Sequence, residues 1–491
     1  MTMPRRGMLT LLGAAGLTTL AGRTAAAEPP PPGSSPSAPP PSAGPGAASV
    51  PQPRPEIAPP ASWREVAEDV RRETRFAWRS YVDKAFGHDQ IKPVSGGVEE
   101  FFVDGHPMGL TIVEALDTLW LMELDRELEQ GLTWVRRNLG FDVDASFQVF
   151  ETNIRMLGGL LSGYHCTGER RLLELAADIG ERLLVAFTTS PTGIPYRFVN
   201  LSTGAVSGPE TNLAETGTYI TEFGYLSRLT GDRRFYDAAK RAFQVTFERR
   251  TPLDLLPYAI HAETGQFLNR TATIGPPADS FYEYLFDGWA LFGDADLKHW
   301  YDVLTAAIVA HQPDTVDGRL WFAQVDAYTG QVVSRTQSEL ASFYAGLLGQ
   351  SGDVPRGRGY HDSWNAVQDR YGVLPEGIDY TTLAATSKGN QLRPEFADSA
   401  FTLWLTTRDE VFRRRAHTHY QQMKNTSKVR YGYTILDDVT TNPVTQGDFC
   451  PGYWWSEQLK YYWLIFGNAR RFDYADNYLS TEGNIFRGAR R

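Results

Sequence analysis

Four acidic residues recur at one kind of place in this sequence. Glu151 stands 17 residues before Gly168, Glu215 stands 16 before Gly231, Asp279 stands 14 before Gly293 and Glu395 stands 12 before Thr407. Each downstream residue belongs to a helix-breaking turn. A helix of that length spans about 18–26 Å, so each acid opens a helix at the rim opposite its turn. For one acid alone a simpler account suffices, because the positive end of a helix dipole favours Asp and Glu. Four in register, beside aromatic and apolar neighbours, point instead to a carboxylate-lined site. Arg155 lies one turn after Glu151 on the same face. Phe281, Tyr282 and Tyr284 follow Asp279, and Pro394 before Glu395 suits a first helical turn. Glu457 follows Tyr453-Trp454-Trp455-Ser456, an aromatic run that either stacks on sugar rings or fills a core. Paired carboxylates among aromatics suit glycoside hydrolysis, in which one acid protonates the leaving oxygen and another activates water or attacks carbon. No nucleophile elbow, zinc-protease motif or phosphate loop competes. His417 and His419 follow Arg413-Arg414-Arg415, a poor setting for a metal cation.

The elements that must position these acids are helical. Phe150, Ile154, Leu157, Leu161 and Tyr164 recur at spacings of four and three, and Leu172, Leu175, Ile179, Leu183 and Ala186 repeat the pattern. Breaks fall near residues 125, 168, 231, 293, 349, 407 and 467. Most gaps are close to 60 residues, enough for two helices and two connections. A closed ring of seven helical hairpins fits this period. A linear solenoid has a shorter, stricter repeat and polar end caps. Residues 195–200 and 319–325 have strand-like composition and are expected as small β-hairpins in the loops.

Composition sets the outer bounds. The chain has 491 residues, a formal charge of -10, 42% hydrophobic and 12% aromatic residues, and two cysteines. That excludes a disordered protein, a disulfide scaffold and a cysteine zinc cluster. The acidic balance argues against a nucleic-acid partner, and no apolar run after the N-terminal segment reaches membrane-spanning length. Residues 1–27 read as an export signal: Arg5-Arg6, a weakly apolar stretch, then Ala25-Ala26-Ala27. It resembles a bacterial twin-arginine signal, with an ordinary secretory signal as the alternative. Residues 28–63 hold 14 of the 30 prolines and read as a disordered linker. The catalytic domain is expected over residues 64–491.

Several segments carry a family resemblance: Ala85-Phe86-Gly87-His88-Asp89, residues 114–120, residues 150–160, Leu213-Ala214-Glu215, residues 279–285, Leu392-Arg393-Pro394-Glu395, residues 456–461 and Ser480-Thr481-Glu482-Gly483. In order and spacing the chain resembles glycoside hydrolase family 47, the class I α-mannosidases, over nearly all of residues 64–487, as a bacterial secreted member. The resemblance implies an all-α (α/α)7 barrel and a calcium-dependent, inverting exo-α-1,2-mannosidase. It implies Glu151 as general acid acting through a water, Glu395 as the base, and Asp279 as an acidic partner and alternative acid. Arg155, Glu215, Arg393, Glu457 and Glu482 would line the sugar subsite, with Tyr453 in place of a ring-stacking Phe. Thr481 matches the calcium ligand, offering hard oxygen donors with waters completing the shell. Pro277 stands where many eukaryotic members have Arg, and Ser338-Glu339-Leu340 aligns with their Asp-His-Leu. Whether Cys166 and Cys450 pair is open at this level. The expected partner is a mannose-containing glycan acted on by an exported, periplasmic or extracellular monomer. A non-catalytic mannose-binding protein on the same barrel is the second reading.

Overall fold

The structure, a computed structural model, describes residues 57–467 and 469–488. The export signal, residues 28–56 of the expected linker and the last three residues lie outside the described residues. Helices occur in two kinds. Leu110–Leu121 and Leu459–Phe466 are buried almost all round, as an inner layer demands. Asp125–Asn138 and Arg233–Phe247 bury one stripe and keep a charged face outward. The inner helices are Leu110–Leu121, Gly158–Thr167, Ile220–Thr230, Asp279–Phe292, Tyr344–Gln350, Glu395–Thr407 and Leu459–Phe466. Six are followed by their outer partners: Asp125–Asn138, Arg170–Thr188, Arg233–Phe247, Ala295–His311, Val354–Tyr371 and Glu410–Ser427. The result is an (α/α)7 barrel.

The short turns repeat because one local chemistry repeats. Gly168, Gly231 and Gly293 end their helices at φ 73, 79 and 68°, a left-handed conformation natural to glycine. The next residue then caps the outer helix. Glu169, Asp232 and Asp294 each accept from the backbone N–H two residues on. Arg408 fills the glycine's place at φ 57°, and Asp409 caps the helix that follows.

The seventh pair is not a hairpin, contrary to the sequence reading. Among the described residues after Gly467 no outer helix follows. The outer partner of Leu459–Phe466 is the first helix, Trp63–Lys84, which starts one residue before the expected domain boundary. Trp63 stacks on Phe466 at 5.7 Å and meets His417 edge-on at 5.8 Å. Asp69 accepts from Tyr420 and Lys424, and Glu73 from Tyr433 and Lys428, on one side. Arg75 pairs with Glu127 at 3.2 Å, and Trp78 Nε1 donates to Gln130, on the other. The ring therefore closes through the two ends of the fold.

The C-terminal residues form a β-hairpin, Asn477–Leu479 with Ile485–Arg487. Its partners come from many inner helices. Asn484 donates to the Ile154 carbonyl, the Ile485 N–H reaches Ser162, and Tyr478 donates to Asp287 and accepts from Gln350. Lys460 donates to Asp117 at 2.6 Å and to the Gly483 carbonyl. The hairpin thus runs inside the barrel, with the turn 480–484 at its tip. The other strands form antiparallel sheets of two or three strands between the helices; both hairpins expected from composition occur, Phe198–Asn200 with Val206–Ser207 and Pro313–Val316 with Arg319–Phe322. Cys166 and Cys450 are free thiols.

Candidate active site

Glu151 ends a single helical turn, Val149–Glu151, fed by the strand Ser146–Gln148. The chain then continues as a π-helical turn, Thr152–Leu157. Such a turn carries one extra residue and re-aims the side chains on it, often at functional sites. Arg155 lies on it and gathers three carboxylates. Its Nε donates to Glu151 at 2.7 Å, and its Nη1 to Glu114 at 2.9 Å and to Glu482 at 2.5 Å. The guanidinium also lies over the rings of Phe101 and Tyr453, at 5.0 and 5.4 Å. One cation shared among three carboxyls cannot offset the two that are buried, Glu114 and Glu482. Burial therefore pushes Glu114 well up, and Glu482 up as well, although Arg155 pulls both down. Gly452 packs where a Cβ would collide with the Glu114 carboxylate.

Glu395 is the first residue of Glu395–Thr407. Arg393, just before it, is held by Glu376 at 3.1 Å and lies 5.3 Å from the Tyr453 ring. Tyr453 is fixed by its hydroxyl, which donates to the Gln391 carbonyl at 2.6 Å. Its ring thus meets both guanidinium groups. Burial pushes Glu395 up to about 7; Arg393 opposes the shift, and Glu376 and Asp279 add to it. Asp279, the first residue of Asp279–Phe292, is pushed up to about 6 by burial, against the Ser280 N–H and Arg393. Glu457 lies on a second π-helical turn, Trp454–Gln458. Burial raises it well, and the charges of Glu482 and Glu395 raise it further. These groups act on one another electrostatically, so Glu151, Asp279, Glu395, Arg155, Arg393, Tyr453, Glu457 and Glu482 form one cluster at the long-loop mouth.

Glu215 stands at the edge of that cluster. Its oxygens accept from Gln148 at 2.8 Å, Arg197 at 2.7 Å and Thr211 at 3.0 Å. Gln148 leads directly into the turn that carries Glu151, so Glu215 braces that turn. Thr481 sits in the turn at the tip of the C-terminal hairpin, and its hydroxyl donates to Glu283 at 2.8 Å. Beneath it lies a cavity of about 360 Å³, lined by Glu283, Asp287, Asp398 and Thr481 with Phe286 and Tyr461.

Sequence reading missed Glu114, Glu283, Asp398, Glu339 and Glu376. Two of these were findable: Glu283 is four residues after Asp279 and Asp398 three after Glu395, one turn deeper on the same faces. Glu376 comes from a β-hairpin whose place at the mouth no local pattern marks.

The donor set fits a hard cation held mainly through water. Among the described residues, no three His, Cys, Asp or Glu side chains are placed to bind one ion directly. Thr481 offers a hydroxyl and a carbonyl. The carboxyls around it are destabilised by their own burial: Glu283 is pushed well up, Asp398 to about 7 and Asp287 to about 8. A bound dication would relieve that excess.

Comparison with known proteins identifies the family. The model of glycosyl hydrolase family 47 matches residues 73–488. The chain belongs to this family. Alpha-mannosidase I MNS5 of Arabidopsis thaliana is 32% identical over 449 residues, covering 86% of this chain and 77% of that protein. Mannosyl-oligosaccharide 1,2-alpha-mannosidase IA of Sus scrofa is 30% identical, covering 83% of this chain and 65% of that one. The solved structure of an alpha-1,2-mannosidase from Trichoderma reesei superposes with a TM-score of 0.78 at 25% identity, over 86% of this chain and 99% of that one. A cellobiose 2-epimerase from Bacillus thermoamylovorans B4167 shares the helical ring at a TM-score of 0.52 and 12% identity, over 71% of this chain and 99% of that one, a likeness of fold alone. As a family 47 member the chain is a glycoside hydrolase, and its carboxylate mouth is the part of the fold suited to that chemistry.

Proposed function

We propose that this chain is a calcium-dependent exo-α-1,2-mannosidase that releases terminal mannose from oligosaccharides or glycans with inversion of configuration. The observation that carries the reading is one mouth holding Glu395, Asp279 and Glu151, each opening a different hairpin's inner segment, with Arg155, Arg393 and Tyr453 between them.

In the reaction, ionised Glu395 takes a proton from a water as that water's oxygen bonds to the anomeric carbon. The glycosidic bond breaks on the opposite face, and Glu151 supplies a proton, through a bridging water, to the departing oxygen. The surrounding carboxylates favour the positive charge that develops on the sugar ring. Arg155 and Arg393 present N–H donors to hydroxyls, and Tyr453 offers a ring edge for the sugar. Thr481 would hold calcium, with Glu283, Glu457 and Asp398 ordering its waters; when bound, the ion supplies a hard anchor for sugar hydroxyls. A second assignment, Asp279 as proton donor, is favoured by one feature. Asp279 makes no ion pair among the described residues, whereas Glu151 is tied to Arg155 at 2.7 Å. We further propose that the enzyme is exported to the periplasm or the medium and acts there as a monomer.

Incubation with an α-1,2-linked mannobiose, followed by NMR of the first-formed anomer, tests the reading. β-Mannose is expected, with activity lost in chelator and restored by calcium. First-formed α-mannose overturns inversion, and full activity in chelator overturns the metal's role. Glycan binding without hydrolysis in the presence of calcium supports a binding protein instead.

A further inference from the structure

Glu339 has 0% exposure, and neither of its carboxyl oxygens meets a hydrogen-bond donor of the protein. It opens the short helix Glu339–Phe343, which packs against the helix headed by Glu395. The two carboxyl groups are within hydrogen-bonding contact. Glu395 also has an oxygen, Oε2, without a donor. The other groups facing the pair give Glu339 no donor. Arg393 donates its Nε to Glu376 and its Nη2 to Gln391, and makes no hydrogen bond to Glu339 or Glu395. Glu376, Asp279 and Glu457 are acids, Tyr453 donates to a carbonyl, and Tyr462 donates to or accepts from His419.

Two buried carboxylates in contact, with no cation between them, cannot both stay ionised. A buried ion without donors is far more costly than the neutral acid. A single proton on Glu339 gives Glu395 Oε2 its donor and leaves Glu339 only a neutral carbonyl oxygen unpaired, far cheaper than a buried charge. Burial already pushes Glu339 well up, and the charges of Glu395 and Glu376 push the same way.

We propose that Glu339 is a positioning residue for the reaction: it stays protonated, and its O–H donates to Glu395, turning the other oxygen of Glu395 toward the attacking water. The proposal rests on Glu395 being the base. The proton stays on Glu339 through the cycle, and the pair titrates as one unit. Because the hydrogen bond favours ionised Glu395, the base stays active to lower pH than burial alone allows.

The test compares Glu339→Gln and Glu339→Leu in the calcium-loaded full chain. The amide keeps a donor, so E339Q retains wild-type kcat within about threefold and leaves the acid limb of the pH–rate profile in place. E339L loses the donor; kcat falls about tenfold or more at unchanged KM, and the acid limb moves to higher pH. Wild-type kcat and acid limb in E339L overturn the proposal. So does an acid limb that moves to lower pH in E339Q, since that is the mark of an ionised Glu339. Infrared difference spectra of wild type against E339Q give a readout independent of activity. The carbonyl band of a protonated carboxylic acid is expected to vanish in the variant, and no change in that band also overturns the proposal. Glu395→Gln is the control for the underlying assignment. If it retains turnover, the base is misassigned, while the infrared band still reports the proton on Glu339.

Discussion

Glu395, the proposed base, is pushed up to about 7 because burial outweighs the pull of Arg393. A base must be ionised to act, so kcat is expected to fall as pH drops through about 7, by about tenfold per unit once the acid form dominates. The sign follows from the raised value: protonation at lower pH removes the acceptor. Glu395→Gln removes it at every pH, and turnover should fall by about 10²–10⁴-fold with the glycan still bound. The proton donor shows in the alkaline limb, where the acid is lost. If Glu151 donates, Glu151→Gln abolishes that limb and Asp279→Asn retains it; the reverse outcome assigns the proton to Asp279. The candidates themselves were legible in the sequence because each stands about a helix length before a recognisable turn, although only Asp279 and Glu395 open a helix and Glu151 closes the short turn that leads into one. Glu339 was not, because only its contact with Glu395, from an element some 50 residues away in the chain, gives it meaning.

The elements that aim these residues differ in how far they are written locally. Gly231-Asp232 and Gly293-Asp294 state both the end of one helix and the cap of the next, so the short rim could be read directly. The two π-helical turns could not, since an extra residue in a helix is stabilised by tertiary partners. Asn484, for instance, bonds the Ile154 carbonyl inside the first of them. The C-terminal hairpin is the extreme case. Among the bonds that hold it at the site, Lys460, with 0% exposure, joins Asp117, 343 residues away in sequence, to the Gly483 carbonyl two residues from Thr481. Breaking a buried charge pair on one side leaves the other charge uncompensated and costs about 3–5 kcal/mol. Lys460→Met should therefore lower the urea midpoint by that equivalent and weaken activity through the displaced turn. Adding Asp117→Asn should restore part of the stability, because the orphaned charge is then removed. A Lys460→Met protein with unchanged midpoint would show that the hairpin is held by its apolar faces and by the bonds of Asn484, Ile485 and Tyr478.

At the scale of the whole molecule, the period of the breaks predicts a ring of seven pairs but not how it closes. A periodic pattern counts units and treats each as self-contained, so it assigned an outer helix to the segment after Gly467. The chain instead supplies that helix from its beginning, a long-range choice that periodicity does not encode. Closure then depends on a seam between segments about 400 residues apart, which forms only when the rest of the ring has brought the ends together. Trp63 is the first residue of the seam, stacked on Phe466, edge-on to His417 and covered by Arg413 at 5.4 Å. Trp63→Ala removes a half-buried indole and its stacking, so stability should drop by about 2 kcal/mol, below the full cost of emptying a core site. Since Trp63 packs on Phe466, at the end of Leu459–Phe466 away from Glu457, kcat below the melting transition should stay unchanged. Thermal melts followed by circular dichroism, with initial rates at low temperature, separate the two effects. An unchanged melt would mean that the ring is closed chiefly by the Asp69 and Glu73 ion pairs further along the same helix, and Lys424→Ala would then carry the loss instead.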